Sequence, residues 1–335
     1  MLKEALFYKK LKSKTIQCKL CPHECKLRPN QLGKCKVRRN IKGKLISENY
    51  GKLISSNPDY IQKKPFYHFL PNTLSYSIAT VGCNLACQHC QNWQISQSAV
   101  NDIPVQLSKP EEVIKDAIKT NCKSISYTYT EPTIQYEFMI DTAKLAKKNK
   151  LKNCIISNGF IREEPLKKLC KYIDAANIDL KAFNEEFYKK TCFGQLKPVL
   201  KSLRVLKKSK IHLEITNLII PEKNDDLKEI EDMCKWIKTN LGENIPLHFS
   251  RFFPYYKSSN LSPTPIETLK KASEIAKKYL NHIYLGNILL KEANNTYCPK
   301  CQKLLIERTQ LDLVKNNLKK NKCPDCKTKI YGVWQ

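Results

Sequence analysis

The chain has 335 residues, of which 41% are hydrophobic and 27% charged, a composition ordinary for a globular protein. This length allows one large domain with small additions. No apolar run approaches the length of a membrane span, and residues 1–14 lack the apolar region and cleavage site of a signal peptide. We therefore expect a cytoplasmic protein without a membrane partner. The formal charge of +28 suits a nucleic-acid partner, but the lysines concentrate on predicted helices, where solvated faces explain them.

Cysteine is the most informative residue type in this sequence. Sixteen cysteines in a reducing cytosol indicate metal binding or catalysis rather than disulfides. Five of them stand alone, and the others form three groups. The groups are Cys18, Cys21, Cys25 and Cys35; Cys83, Cys87 and Cys90; and Cys298, Cys301, Cys323 and Cys326.

The first cysteine group has the spacing C-x2-C-x3-C-x9-C, with Pro22 and Gly33 supplying turns beside the sulfurs. Four soft ligands so close together suit tetrahedral zinc or an auxiliary iron–sulfur cluster, and His23 is a fifth candidate ligand. We favour zinc here. Residues 1–70 are therefore predicted to be a Cys-rich metal-binding module followed by a linker.

From residue 71 to 290 the chain alternates β-rich runs with helical patterns, which predicts βαβ units and a parallel sheet. The predicted strands are 75–81, 124–129, 153–157, 176–180, 212–219 and 247–252. The predicted helices are 110–120, 133–148, 164–170, 196–207, 227–239 and 266–279. Six such units predict an α/β fold with a partial (β/α)6 TIM-like barrel rather than a closed barrel of eight.

The second cysteine group, Cys83, Cys87 and Cys90, follows the first predicted strand with the spacing C-x3-C-x2-C. Four thiolates normally hold the four irons of a [4Fe–4S] cube. Three cysteines with no local fourth predict a cube with one iron open to a small molecule. The alternative is a structural zinc knuckle that includes His89.

Polar residues follow several of the other predicted strands. Glu131 and Asp179 offer carboxylates, Lys181 a cation, and Asn158 and Gly159 an amide and a close backbone approach. In a parallel α/β barrel, catalytic groups collect where the strands end. The alternative for each carboxylate is a helix cap.

The third cysteine group consists of two C-x-x-C pairs separated by 21 residues. This spacing predicts a zinc-ribbon-like module over residues 291–335, with residues 304–314 as a hairpin. Such modules bind nucleic acid, bind proteins, or stabilise a domain too small for its own core.

Together these motifs resemble those of radical S-adenosylmethionine (SAM) enzymes. Nearly the whole chain is similar to the radical SAM proteins of the "AmmeMemoRadiSam system", relatives of pyruvate formate-lyase activating enzymes. The segments that carry the resemblance are 21–25, 82–93, 127–132, 177–181, 248–256 and the C-terminal cysteines.

The resemblance implies a role for each candidate residue. The second cysteine group would hold three irons, and the fourth iron would bind SAM. The implied SAM-binding residues are His89, Glu131, Ser157, Asn158, Asp179 and Lys181. Tyr129-Thr130-Glu131-Pro132 stands where the family has Gly-Gly-Glu-Pro, so Glu131 would bind the methionyl ammonium. Asp179 and Lys181 match an Asp-x-Lys pattern that reaches the ribose or the methionyl carboxylate, and the His89 ring would lie near the adenine.

The resemblance also implies an activity. Reductive cleavage of SAM would give methionine and a 5′-deoxyadenosyl radical, which abstracts hydrogen from a protein, peptide or small molecule. Installation of a glycyl radical is one version. Oxygen sensitivity, a flavodoxin or ferredoxin as electron donor, and Memo-like and AMMECR-type companion proteins are expected.

Two other functions remain open from the sequence. The first is a radical SAM enzyme that modifies RNA, and the second is a non-enzymatic multi-metal nucleic-acid-binding or scaffold protein. Among the isolated cysteines, Cys192 is the candidate catalytic residue, because it lies shortly beyond the fourth predicted strand and would face the substrate.

Overall fold

The computed structural model describes residues 2–290, 292–309 and 312–334. The first seven strands are β1 (Lys3–Glu4), β2 (Tyr8–Lys10), β3 (Ile16–Cys18), β4 (Lys26–Leu27), β5 (Arg38–Ile41), β6 (Lys44–Ser47) and β7 (Lys52–Leu53). Six of them form two antiparallel sheets with the orders β1-β6-β5 and β2-β3-β4. The N-terminal cysteines therefore lie in and between short strands.

The central sheet begins with β8. The next nine strands along the chain are β8 (Ser55–Tyr60), β9 (Leu74–Ala79), β10 (Gln106–Leu107), β11 (Ser124–Tyr127), β12 (Lys152–Ser157), β13 (Ala175–Asp179), β14 (His212–Ile219), β15 (Leu247–Arg251) and β16 (Ile283–Gly286). The sheet has the order β16-β15-β14-β13-β12-β11-β9-β8, and β10 pairs with β7 outside it. Seven of its strands run parallel, and the edge strand β8 is antiparallel to its neighbour.

The six predicted strands are confirmed, and the sequence patterns missed β8 and β16. Strand β8 contains Pro58, which an edge strand tolerates because one side of its backbone needs no partner. Strand β16 is a seventh parallel strand of four residues, Ile283–Gly286.

Eight helices accompany the sheet in the described part of the chain. They are α1 (Trp93–Ser96), α2 (Pro110–Lys119), α3 (Tyr136–Lys148), α4 (Glu163–Leu169), α5 (Glu185–Phe187), α6 (Leu196–Lys208), α7 (Leu227–Leu241) and α8 (Ile266–Lys277). The six predicted helices are confirmed. In α6, for example, Val199, Leu203 and Leu206 are buried, at the spacing of one helix face. The expected α/β fold with a mainly parallel sheet is thus confirmed.

Residues 61–70 cover the face of the sheet opposite the long helices. Phe66 and Phe69 pack against Cys154 and Ala175, whereas the neighbouring residues along each strand join the core on the helix side. Successive side chains of a strand point to opposite faces, so residues 61–70 must lie on the other face. The predicted linker is therefore part of the core.

Glu214 fastens residues 61–70 to the sheet. Its fully buried carboxylate accepts hydrogen bonds from the backbone N–H groups of Tyr67 (3.1 Å) and His68 (2.8 Å). The rings of His212 and His248 approach it at 3.0 and 2.7 Å. Burial alone would raise the pKa of this carboxyl, but the two histidines hold it well below its ordinary value.

The C-terminal strands β17 (Thr296–Tyr297), β18 (Leu304–Thr309) and β19 (Asp312–Asn316) form one antiparallel sheet, and β18 and β19 confirm the predicted hairpin. The residues joining them and the predicted module boundary at residue 291 lie outside the described residues. Over the described ranges, no helix is long and apolar enough to cross a membrane.

Candidate active site

The loop 80–92 follows β9 and carries the three cysteines of the second group. Gly82 in this loop has a φ of +92°, and a Cβ there would lie 2.5 Å from the carbonyl oxygen of Cys35. Only glycine fits both the backbone conformation and this close approach. The loop therefore packs directly against the N-terminal cysteine group.

Cys83, Cys87 and Cys90 line one cavity of about 330 Å³ at the carboxyl end of the sheet. Their sulfurs do not all lie within 4.8 Å of one another, so they do not converge on a single ion. Separated sulfurs that face one cavity fit three corners of a [4Fe–4S] cube. The Nδ2 of Asn158 approaches the sulfur of Cys83 at 3.7 Å, and the hydroxyl of Ser96 lies 3.3 Å from Cys90.

Glu131 lies beyond the end of β11 and is 1% exposed. Its Oε1 accepts hydrogen bonds from the N–H of Thr133 (2.9 Å) and the hydroxyl of Ser157 (2.8 Å), and its Oε2 accepts one from the N–H of Asn158 (2.8 Å). Burial raises the pKa of this carboxyl, and the three donors offset part of that effect. Glu131 also lines the cavity, so its carboxylate is placed to meet a bound ligand.

The backbone before Glu131 has an unusual conformation. Tyr129, at the position of the first glycine of the Gly-Gly-Glu-Pro pattern, has a φ of +66°, in the left-handed region that favours glycine. The Nζ of Lys64 donates to the Tyr129 hydroxyl at 3.0 Å, and Nδ2 of Asn92 donates to its carbonyl oxygen at 2.8 Å. These contacts support the unusual conformation.

Asp179 and Lys181 stand at and beyond the end of β13, and both line the cavity. The Nζ of Lys181 forms a 3.0 Å ion pair with Oδ2 of Asp179. Burial disfavours the charged form of Lys181, but the carboxylate of Asp179, together with the sulfurs of Cys87 and Cys192, outweighs it and holds the pKa of Lys181 well above its ordinary value. The cavity therefore contains opposite charges at fixed positions.

His89 is buried and also lines the cavity. Burial, with a smaller effect from the Lys181 cation, lowers the pKa of its ring to about 3, so the imidazole is neutral. Its Nδ1 has no hydrogen-bond partner among the described residues. The ring centre lies 5.9 Å from that of Phe187. A neutral ring at this position suits contact with an apolar or aromatic ligand group.

Cys192 lies behind the loop 80–92 and not among the residues that line the cavity. It is completely buried, and its carbonyl oxygen accepts a hydrogen bond from the N–H of Ala86 at 3.1 Å. Its sulfur lies within 4.8 Å of ligand atoms of Cys87 and His89. Cys192 therefore packs against the loop 80–92 on the side away from the cavity.

Several cavity residues were not identified from the sequence. They are Lys64, Thr216, Ser250 and Asn287. Lys64 comes from the segment 61–70, and its Nζ also pairs with Asp59 at 3.1 Å. No local pattern marks it, because its place in the site depends on how that segment crosses the sheet.

The two outer cysteine groups differ in geometry. Cys298, Cys301, Cys323 and Cys326 place all four sulfurs within 4.8 Å of one another, and the Cys298–Cys326 and Cys301–Cys323 sulfur pairs are 3.4 and 3.6 Å apart. This arrangement is compatible with one tetrahedral ion. No three sulfurs of the N-terminal group lie that close to one another, although all four line one small cavity.

Comparisons with known proteins identify the family of the central part of the chain. A model of the radical SAM superfamily matches residues 77–237, the stretch that holds Cys83, Glu131 and Lys181. An uncharacterized protein of Methanocaldococcus jannaschii is 45% identical over 332 residues, which cover 98% of this chain and 99% of that protein. The pyruvate formate-lyase 1-activating enzyme of Escherichia coli is 21% identical over 215 residues, covering 59% of this chain and 86% of that enzyme.

A solved structure has a similar fold. Streptococcus suis SuiB bound to S-adenosylmethionine has a TM-score of 0.50 at 14% sequence identity, over 64% of this chain and 52% of that chain. The match to the radical SAM superfamily implies a [4Fe–4S] cluster and SAM as cofactors. The chain belongs to the radical SAM superfamily and is related to its activating enzymes.

Proposed function

We propose that this radical SAM enzyme abstracts hydrogen from a protein or peptide chain. The supporting observation is a set of exposed aromatic side chains. Of the six exposed aromatic residues in the described part of the chain, five follow strands at the carboxyl end of the sheet. They are Trp93, Tyr129, Phe193, Phe253 and Tyr255. Exposed aromatic residues are typical of surfaces that bind another chain.

The bound cofactors would supply the difficult chemistry, because a reduced cluster cleaves SAM to methionine and a 5′-deoxyadenosyl radical. In this proposal Cys83, Cys87 and Cys90 hold the cluster. Glu131 binds the methionyl ammonium through its carboxylate, which Ser157 and Asn158 orient.

The other cavity residues would orient the rest of SAM. Asp179 suits the ribose hydroxyls as an acceptor, and Lys181 suits the methionyl carboxylate as a cation. His89, neutral and buried, would contact the adenine ring. The burial of His89 excludes water from its part of the cavity, which protects a reactive radical.

We also propose a domain organisation, a cellular location and partner proteins for this enzyme. The open sheet would form a partial (β/α)6 barrel over residues 71–290, with residues 1–70 and 291–335 as flanking metal modules and zinc in the second of them. The enzyme would work in the cytoplasm with a flavodoxin or ferredoxin as reductant. Memo-like and AMMECR-type proteins are the first substrates or companions to test, and glycyl-radical formation is one product to look for.

The experiment uses anaerobically reconstituted full-length protein, dithionite and SAM, with a deuterated candidate protein as substrate. We expect release of 5′-deoxyadenosine that carries deuterium from the candidate protein, detected by mass spectrometry. Cys87→Ala should abolish release, and Cys122→Ser, at an isolated cysteine away from the cavity, should not.

Two outcomes would contradict the proposal. A protein loaded with its cluster that never cleaves SAM would not be such an enzyme. Cleavage without deuterium transfer from any protein, combined with tightly bound RNA of steep salt dependence, would indicate an RNA substrate. A Phe253→Ser/Tyr255→Ser variant should lose deuterium transfer but retain uncoupled SAM cleavage, because it changes only the exposed aromatic surface.

A further inference from the structure

We propose that Cys18, Cys21, Cys25 and Cys35 hold a second [4Fe–4S] cluster, instead of zinc, that passes electrons to the cluster at Cys83, Cys87 and Cys90. The geometry of the N-terminal cysteines supports the presence of the second cluster. Its electron-transfer role rests on the proposed function of the central site.

The distances between sulfurs favour a cluster. With zinc–sulfur bonds of about 2.3 Å, a tetrahedral ion brings its four sulfurs into contact with one another, at about 3.8 Å. The C-terminal cysteines of this chain have that geometry, whereas no three N-terminal sulfurs lie within 4.8 Å of one another. Yet the N-terminal four line a single cavity of about 20 Å³. Thiols spread around a space suit the outer corners of a cube, as at the central site.

Two buried nitrogen atoms of Arg38 at this cavity lack a hydrogen-bond acceptor in the described part of the chain. Arg38 lines the cavity and is 2% exposed, and its Nη2 pairs with Glu137 at 2.6 Å. Its Nε and Nη1 have no hydrogen-bond partner among the described residues. Unsatisfied N–H groups in a buried site cost free energy, unless a ligand accepts their hydrogen bonds. The sulfides and thiolates of an anionic cluster are such acceptors.

The cavity adjoins the central cluster loop. His23 lines it, and the Nε2 of His23 lies 2.7 Å from the carbonyl oxygen of Asn84, the residue after Cys83. On the other side, the backbone of Gly82 packs against the backbone of Cys35. The two cysteine groups are thus joined through one hydrogen bond and one backbone contact, without solvent between them at these points.

The electron balance of the transfer is simple. A low-potential protein donor reduces the second cluster by one electron, and the same electron then reduces the central cluster, so no bond forms or breaks. Lys26, Arg28, Lys34 and Lys36 are exposed around the N-terminal cysteines. Their positive charge favours the approach of an acidic donor and makes that approach sensitive to salt.

The test for the cluster compares iron, sulfide and zinc in three full-length proteins purified anaerobically. They are the wild type, a variant with Cys83, Cys87 and Cys90 changed to Ala, and a variant with the four N-terminal cysteines changed to Ser. Each cube contains four irons, so each variant should retain about half of the wild-type iron. The first variant, once reduced, should show a cluster EPR signal that SAM does not change.

A wild type with iron for one cube only, or a first variant with additional zinc in place of iron, would overturn the second cluster. If one variant fails to fold, iron and sulfide in the wild type and in the other variant still decide the question.

The test for electron transfer compares SAM cleavage driven by a flavodoxin with cleavage driven by dithionite. In the N-terminal variant the ratio of the two rates should fall by about tenfold or more, since only the protein donor needs the second cluster. An unchanged ratio would overturn the electron-transfer role and leave the cluster assignment intact. Loss of cleavage with both reductants in the wild type would instead contradict the proposed function.

Discussion

The backbone N–H of Asn158 donates a 2.8 Å hydrogen bond to Oε2 of Glu131, joining the loops that follow β12 and β11. The hydroxyl of Ser157 holds the other carboxylate oxygen. The anionic group in this wall of the cavity is therefore fixed by two neighbouring strand ends before a ligand binds. Such preorganisation lowers the entropy cost of binding.

Replacing Glu131 with Gln should weaken SAM binding. Hydrogen bonds to charged groups contribute about 1.5–3 kcal/mol, so the dissociation constant should rise by roughly ten- to a hundredfold. Anaerobic calorimetry measures this, with Glu164→Gln on the exposed face of α4 as control. Since burial raises the pKa of Glu131, wild-type affinity should decrease as the pH falls through that raised value. A Glu131→Gln variant that binds SAM as tightly as the wild type would contradict the role.

Replacing Gly82 with Ala should disrupt the central cluster loop. Gly82 and Gly242 both have strongly positive φ, +92° and +98°, so alanine strains the backbone at each by about 1–3 kcal/mol. At Gly242 the nearest atom to a new Cβ is Nζ of Lys207 at 3.8 Å, whereas at Gly82 it is a backbone oxygen at 2.5 Å. Gly82→Ala should therefore lose more stability than Gly242→Ala, and iron as well. Equal losses in denaturation and iron assays would show that the contact with Cys35 is unimportant.

Replacing Glu214 with Gln should destabilise the whole domain. All four partners of this carboxylate are placed as donors, and an amide NH2 would oppose two of them, at a cost of about 3–5 kcal/mol. Because the folded-state pKa is depressed, the carboxylate contributes fully above the ordinary glutamate pKa, and the contribution is lost as the pH falls through the folded value. Urea unfolding at several pH values measures both effects, and a variant with wild-type stability and acid sensitivity would refute them.

Removing two C-terminal cysteines should remove zinc. In a Cys301→Ala/Cys326→Ala variant, one of the two close sulfurs in each pair is lost, so zinc should fall by about one ion per chain. The isolated Cys170, changed to Ser, serves as control. Retention of that zinc in the double variant, measured by elemental analysis, would place the ion elsewhere.

The central site could be predicted because its signals are local. The spacing of Cys83, Cys87 and Cys90 lies within one loop, and Glu131 and Asp179 stand at or just beyond the ends of regular strands. The rule that parallel strands end at one edge was then enough to bring them to one cavity. The cysteine spacing and the positions of the strand ends were therefore sufficient to predict which residues meet at this cavity.

The features that could not be predicted from the sequence depend on contacts between distant segments of the chain. Lys64 reaches the cavity only because residues 61–70 cross the sheet, and Arg38 reaches the N-terminal cysteines with Glu137 from α3 as its partner. Neither side chain belongs to a periodic pattern or a spaced motif. The edge strand β8 was missed for a similar reason, since Pro58 argues against a strand unless its partner is known.

The contact between His68 and the C-terminus has a consequence for biosynthesis. The ring of His68 approaches the carbonyl oxygen of Tyr331 at 2.6 Å, 263 positions later, and the N–H of Val333 donates to the carbonyl oxygen of His68. Contacts between such distant residues form late and slowly. On the ribosome, the segment beside Glu214 therefore lacks these contacts until residues 331–333 have been synthesised. A chain that stopped before residue 331 would contain every residue that lines the cavity at Cys83, Cys87 and Cys90, but it would lack the contacts of His68 with Tyr331 and Val333.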